Sequence, residues 1–91
     1  MQDLSGKTAI ITGASRGIGA AAARVFAAQG ANVMLVARSG DAITALADEI
    51  GPNAMALECD VSHYDALEAV VTACTARFGG LDVLINNASV I

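Results

Sequence analysis

The sequence predicts an α/β fold, a doubly wound parallel sheet with helices on both faces, formed by one domain over residues 1–91. Two observations carry this prediction. Short apolar runs alternate with segments of helical periodicity, and the connections are long enough for right-handed parallel crossovers. The strongest runs also lack polar alternation, which indicates strands that are covered on both faces. The predicted order is βαβαβαβ, with the strands arranged 3-2-1-4 in the sheet.

The first strand, the first helix and the second strand are predicted in the first 37 residues. Residues 7–12 (KTAIIT) form a β-branched run that ends at a glycine, and residues 17–29 form an alanine-rich helical segment. Gly30 follows this helix at a position where a left-handed backbone is common. Residues 32–37 (NVMLVA) are continuously apolar apart from the first, as expected of a strand in the sheet interior.

A second helix and an edge strand are predicted next. Apolar residues at i, i+3, i+4 and i+7 predict a helix over residues 41–50, and the pair Gly51-Pro52 ends it. Residues 53–59 (NAMALEC) form a less hydrophobic run. We therefore place this third strand at the edge of the sheet.

The third helix and the fourth strand complete the predicted fold. Ser62 and Asp65 have the spacing of a capping box, and a single apolar stripe follows over residues 67–78. Gly79-Gly80 ends this helix. Residues 81–86 (LDVLIN) then predict the fourth strand.

Charge and composition argue against several classes of function. Nine acidic residues against five basic ones give a net charge of -4, without a basic cluster, so neither a nucleic-acid surface nor a polybasic membrane contact is expected. No apolar run reaches the length of about 18 residues that spans a membrane, and no signal peptide is recognisable, so we expect a cytoplasmic protein. Cys59 and Cys74 lack metal-site or redox spacing and are expected to be reduced packing residues.

A glycine-rich loop between the first strand and the first helix is the main chemical feature. Residues 12–19 read TGASRGIG, with glycines at 13, 17 and 19. Gly13 permits a tight turn, Gly17 lets the backbone approach a pyrophosphate, and Gly19 allows close packing of helix on strand. The amides and dipole of the helix N-terminus would face the anion. The loop therefore predicts a Rossmann-type dinucleotide site, the alternative being a loop that only needs positive φ.

The residues after the second strand bear on the choice of cofactor. An acidic residue there binds the ribose 2′-hydroxyl of NAD, whereas an arginine accommodates the 2′-phosphate of NADP. This sequence has Ala37 and Arg38, and Arg16 of the glycine loop supplies a second guanidinium. We therefore expect NADP as the cofactor, with NAD less favoured. The alternative for Arg38 is an ordinary solvated residue at a strand end.

Three motifs in order resemble those of the short-chain dehydrogenase/reductase superfamily: TGASRGIG at 12–19, CDVS at 59–62 and NNAS at 86–89. The sequence is most similar to NADP-dependent members such as the 3-oxoacyl-carrier-protein reductases. The resemblance implies a parent enzyme that transfers a hydride between NADP(H) and a small carbonyl/alcohol substrate.

The resemblance also assigns residues to the cofactor site. These are Gly13, Ser15, Arg16, Gly17, Ile18, Gly19, Arg38, Ser39, Asp60, Val61, Asn87 and Ala88. It implies that Asp60 meets the adenine amino group and that the backbone of Val61 meets the adenine ring. The segment Asn86-Asn87-Ala88 would line the adenosine ribose and brace the central strands, with Thr12 hydrogen-bonded across to it. Ser89 stands where the family usually has glycine.

No catalytic residue is assigned within these 91 residues. The resemblance implies a catalytic serine and a Tyr-x-x-x-Lys pair well beyond the fourth strand. The single tyrosine, Tyr64, has Glu68 four residues later where that pair has lysine. We interpret the cluster of Ser62, His63 and Asp65 as a helix cap, since the members of a hydrolytic triad come from separate elements.

Two functional hypotheses remain open from the sequence. The first is the NADP-binding part of an oxidoreductase, inactive without further residues. The second is a non-catalytic module, half of a doubly wound sheet, that binds a nucleotide or only oligomerises. A chain ending at Ile91 would expose the fourth strand as an open edge, so we expect a homo-oligomer paired through that strand.

Overall fold

A four-stranded parallel sheet forms the centre of the computed structural model, which describes residues 4–60 and 64–87. The elements are β1 Thr8–Thr12, α1 Gly17–Ala28, β2 Asn32–Ala37, α2 Gly40–Ile50, β3 Ala54–Glu58, α3 Tyr64–Phe78 and β4 Val83–Ile85. The strands are ordered β3-β2-β1-β4, and every neighbouring pair is parallel. The predicted α/β class and strand order are confirmed.

The helices divide between the two faces of the sheet. Successive strand residues point to opposite faces, so Ile11 packs in the core under α1 and α2, whereas Ile10 packs under α3. Both side chains are completely buried. Each such burial stabilises the fold by roughly 1.5–3 kcal/mol. Apolar residues face both cores along β1 and β2, which explains why these strands lack polar alternation.

The structure corrects the boundaries of the fourth strand. β4 covers three residues rather than the six predicted, because Asp82 bridges to β1 through its side chain. The Asp82 amide donates to the carbonyl oxygen of Thr8, and the Thr8 amide donates to Asp82 Oδ2, both at 2.9 Å. A carboxylate oxygen thus takes the place of a strand carbonyl. β3 lies at the sheet edge as predicted.

The third helix begins at Tyr64. The predicted capping box cannot be followed there, because Ser62 lies outside the described residues. Cys74, a residue of α3, is buried against the sheet, and Cys59 is half-buried against the same core. Both are free thiols, and burial raises the pKa of the Cys74 thiol. Both cysteines pack against the core as predicted, but Cys59 is only half-buried.

The carboxyl ends of β1 and β4 lie at the switch point of the sheet, here called the crevice. The chain leaves β1 over the face covered by α1 and enters β4 from α3 on the other face. In open α/β sheets, ligands bind where neighbouring connections diverge in this way. Within residues 4–60 and 64–87, no helix combines the length and apolarity that crossing a membrane requires.

Candidate functional site

The glycine loop between β1 and α1 is held in a fixed shape. Gly13 and Gly17 have φ angles of +65° and +62°, in the left-handed region that favours glycine. Ala14 is fully buried between them, and its amide donates to the carbonyl oxygen of Val36 at 3.2 Å. This bond joins the loop to the end of β2. The loop is therefore positioned by the sheet itself.

Gly19 shows why α1 can start so close to the sheet. A Cβ atom at this residue would overlap the carbonyl oxygen of Gly13 and would lie 2.9 Å from the side-chain nitrogen of Asn87. The absence of a side chain thus lets three segments meet: the end of β1, the start of α1 and the residues after β4. The close-packing role predicted for Gly19 is confirmed.

Gly17 has the opposite environment. It is exposed, and a Cβ atom there would meet no heavy atom within 4 Å. The protein therefore leaves open space directly above the first residue of α1. This is the space that the backbone would offer to a pyrophosphate.

The N-terminus of α1 suits an anion. Arg16 is the N-cap residue of α1. Its backbone is extended, and its side chain makes no capping hydrogen bond. The first turn contains no acidic residue, so no carboxylate of this turn offsets the positive end of the helix dipole. Together with the open space at Gly17, this N-terminus fits the pyrophosphate of a dinucleotide.

Thr12 joins β1 to the end of β4 at the floor of the crevice. Its side chain is buried, and its hydroxyl accepts a hydrogen bond from the Asn87 amide at 2.9 Å. The same hydroxyl lies 3.1 Å from Asn86 Oδ1 and 3.4 Å from the carbonyl oxygen of Ile85, either of which can accept its proton. The hydrogen bonding implied for Thr12 by the resemblance is confirmed.

The remaining predicted residues surround the crevice on three strand ends. Arg16, Ile18, Arg38, Ser39 and Asp60 are exposed, whereas Ser15 is half-buried. Ile18 is 78% exposed, an unusual environment for a large apolar side chain. The structure thus brings these residues to the carboxyl ends of the strands.

Two of the predicted residues cannot be located. Val61 and Ala88 lie outside the described residues, as does Ser89.

The two arginines of the site make no salt bridge with a described carboxylate. Among the residues that are described, the salt bridge found joins Arg24 to Glu49, so neither Arg16 nor Arg38 is held by a carboxylate there.

Sequence reasoning missed one charged group near this edge. Glu58 is the last residue of β3, and its carboxylate lies against Gly40, the first residue of α2. A glutamate at the end of an edge strand reads as an ordinary solvated side chain. The one signal in the sequence was Gly40 at the start of a helix, and this glycine does not indicate that Glu58 is its neighbour.

Strand order, glycine loop and an anion-ready helix N-terminus together define a dinucleotide-binding α/β protein of the Rossmann type. The family model described as short chain dehydrogenase matches residues 7–91. The chain belongs to the short-chain dehydrogenase family.

Relatives of known name support this assignment. The chain is 49% identical over 89 residues to a fatty acyl-CoA reductase of Mycobacterium tuberculosis, covering 94% of this chain and 30% of the relative. It is 43% identical over 88 residues to a 3-oxoacyl-[acyl-carrier-protein] reductase of Vibrio cholerae, covering 97% of this chain and 36% of the relative.

A solved structure shares the fold of this chain. The crystal structure of a 3-ketoacyl-(acyl-carrier-protein) reductase from Brucella melitensis, complexed with NADH, matches with a TM-score of 0.87 and 40% identity. The match covers 90% of this chain and 34% of that chain. The present chain thus spans about a third of the length of the relatives it matches.

Proposed function

We propose that the protein is an NADP-dependent oxidoreductase acting on a carbonyl/alcohol pair, and that these residues bind the pyrophosphate and adenosine end of the cofactor. The observation that carries this proposal is the pair of exposed guanidinium groups, Arg16 within the glycine loop and Arg38 after β2, with Ala37 where an NAD site has a carboxylate. The bound cofactor supplies the hydride chemistry.

Each part of the crevice has its own role in this proposal. The loop from Gly13 to Gly19, with Ser15 and Ile18, holds the pyrophosphate through backbone amides. Arg16, Arg38 and Ser39 hold the 2′-phosphate. The adenosine is held by the remaining predicted residues, Asp60, Val61, Asn87 and Ala88. The protein contributes position and electrostatics, so the adenosine end anchors the cofactor while the nicotinamide end reacts.

The proposal also covers the substrate, the cellular location and the oligomeric state of the enzyme. A small carbonyl or alcohol is the substrate, and the groups that act on it come from residues outside these 91. The free thiols of Cys59 and Cys74 are compatible with the cytoplasm. A homo-oligomer is supported by β4, an edge strand of the described sheet, and by its 46% exposed Leu84. Light scattering at micromolar concentration would contradict this part by finding a monodisperse monomer.

The cofactor preference is tested by titrating NADPH and NADH into the protein and into Arg38→Asp. Charge-assisted contacts to phosphate contribute on the order of 1.5–3 kcal/mol each, so NADPH should bind about ten- to hundredfold more tightly than NADH. Arg38→Asp should reverse that order. Lys7→Asp is the matched control, because it makes the same change of charge on an exposed residue at the opposite edge of the sheet. Equal or tighter binding of NADH by the unmodified protein would refute the NADP preference.

A further inference from the structure

Glu58 places a negative charge beside the residues proposed to hold the 2′-phosphate. A Cβ atom on Gly40 would lie 2.5 Å from Glu58 Oε1 and 3.1 Å from its carboxyl carbon. The carboxylate thus occupies the space that a side chain at Gly40 would need. In the sheet register Glu58 pairs with Ala37, which directly precedes Arg38.

The start of α2 favours this position of the carboxylate. Ser39 is the N-cap residue of α2, and its side chain makes no capping bond. The positive end of the helix dipole favours anions, and the first turn already contains the carboxylate of Asp41. Glu58 comes to this helix end from a different strand, eighteen residues along the chain from Gly40. No salt bridge between described residues joins Glu58 to Arg38, so direct pairing does not cancel its charge.

We propose that Glu58 is a specificity-determining residue that opposes binding of the 2′-phosphate and so limits the preference for NADP. This inference rests on the proposed function. Adjacent strands lie about 4.8 Å apart, so the ends of β2 and β3 are within the screening length of about 8 Å at physiological salt. A phosphate dianion held by Arg38 is repelled by the Glu58 carboxylate, whereas the uncharged 2′-hydroxyl of NAD is not.

The test compares Glu58→Gln with the unmodified protein by direct titration of NADPH and of NADH. Glutamine keeps the size of the side chain and removes its charge. Binding of NADPH should tighten about three- to tenfold, and binding of NADH should change less than about twofold. The gain should shrink when the titration is repeated at high salt. Asp48→Asn is the matched control, because it removes an equal charge from an exposed residue near the other end of α2.

Four outcomes decide the inference. A rise in the ratio of NADPH affinity to NADH affinity for Glu58→Gln but not for Asp48→Asn supports the inference, and a fall in that ratio for Glu58→Gln contradicts it. An unchanged ratio for Glu58→Gln, with NADPH still preferred, overturns the role of Glu58 and leaves the proposed function intact. Absence of binding by either cofactor to the unmodified protein overturns the proposed function and this inference together. Glu58→Ala gives a second reading of the same ratio, since Glu58 is exposed and its truncation leaves no cavity.

Discussion

The amino and carboxyl ends of the strands form two edges of the sheet, and their polar groups have different roles. At the edge formed by the amino ends, called the amino edge, side chains form hydrogen bonds with backbone groups of neighbouring segments. Asp82 bridges to Thr8 through two hydrogen bonds, and Asn53 donates to the carbonyl oxygen of Ala31 at 2.6 Å. Arg77 likewise donates to the carbonyl oxygen of Pro52 at 3.1 Å. This edge is closed by the protein's own side chains.

The carboxyl edge leaves its charges and helix ends accessible. The start of α1 has no side-chain cap, Gly17 faces open space, and Arg16 and Arg38 are exposed. Its floor is held by hydrogen bonds between Thr12 and the asparagines after β4, and the Ala14 amide holds the glycine loop to β2. The comparison teaches that polar groups at one edge of a sheet can stabilise the fold while those at the other edge stay available for a ligand. Equivalent substitutions at both edges test this division.

The largest contrast is expected between Gly17→Val and Gly79→Val. Both glycines are exposed, have φ angles of +62° and +88°, and have no heavy atom within 4 Å of an added Cβ. Both variants should lose about 1–2 kcal/mol of unfolding free energy, because valine is strained in the left-handed region. Only Gly17→Val should also lose cofactor affinity, by about a hundredfold or more, because its side chain enters the pyrophosphate space.

Urea unfolding and NADPH titration of both variants separate the two effects. Gly79 lies between α3 and β4, at the amino edge, so its variant reports backbone strain alone. If a folded Gly17→Val protein bound NADPH as tightly as Gly79→Val does, the pyrophosphate role of Gly17 would be wrong.

A smaller contrast is expected between the two buried threonines of β1. Thr12→Val removes a hydroxyl that accepts the Asn87 amide at 2.9 Å, so it should cost roughly 1–3 kcal/mol in unfolding free energy. Thr8→Val removes a hydroxyl whose contact with Asn32 Nδ2 is 3.5 Å long, so it should cost less. Both side chains are at most 2% exposed, so burial does not distinguish them.

Thr12→Val should additionally weaken NADPH binding, because the segment at Asn87 loses its anchor, whereas Thr8→Val should leave binding unchanged. Chemical denaturation and cofactor titration measure the two quantities on the same samples. Equal stability losses, with no difference in affinity, would show that the floor of the crevice does not depend on Thr12.

Local periodicity was sufficient to predict most of the fold. Continuous apolar runs located β1 and β2, and the 3.6-residue pattern located α2, since both signals arise from neighbours in sequence. The length of β4 was wrong because Asp82 and Thr8 are far apart in the chain, and no local pattern reports their bonds. The same reason hid the contact between Glu58 and Gly40.

The sequence predicted those features of the candidate site that depend on the glycines of the loop. Glycine spacing predicted the tight approach at Gly19, because steric exclusion of a Cβ is a property of the residue itself. The buried role of Ala14 was not foreseen, since an alanine inside a polar loop carries no recognisable signal. Its amide nevertheless fixes the loop to β2.

The smallest predicted effect concerns the ion pair between α1 and α2. Arg24 Nε lies 2.7 Å from Glu49 Oε2, and Arg24 Nη2 lies 3.2 Å from Glu49 Oε1. The hydrogen bond from Arg24 lowers the pKa of Glu49 below its ordinary value of 4.5. Such a carboxylate stabilises the fold above its unfolded pKa, and the contribution is lost as the pH falls through the folded pKa.

Thermal unfolding of the unmodified protein and of Glu49→Gln should therefore differ slightly at neutral pH and converge as the pH falls below 4.5. The difference should be small, and smaller still in 1 M salt, because both side chains are about half exposed. Glu68→Gln, which removes one negative charge from an exposed residue of α3, is the matched control for the change in net charge. NADPH affinity should be equal in all three proteins, since neither glutamate is among the residues assigned to the cofactor. A Glu49→Gln protein with weakened NADPH binding would show that the packing of α1 on α2 reaches the carboxyl edge, and the division between the two edges would no longer hold.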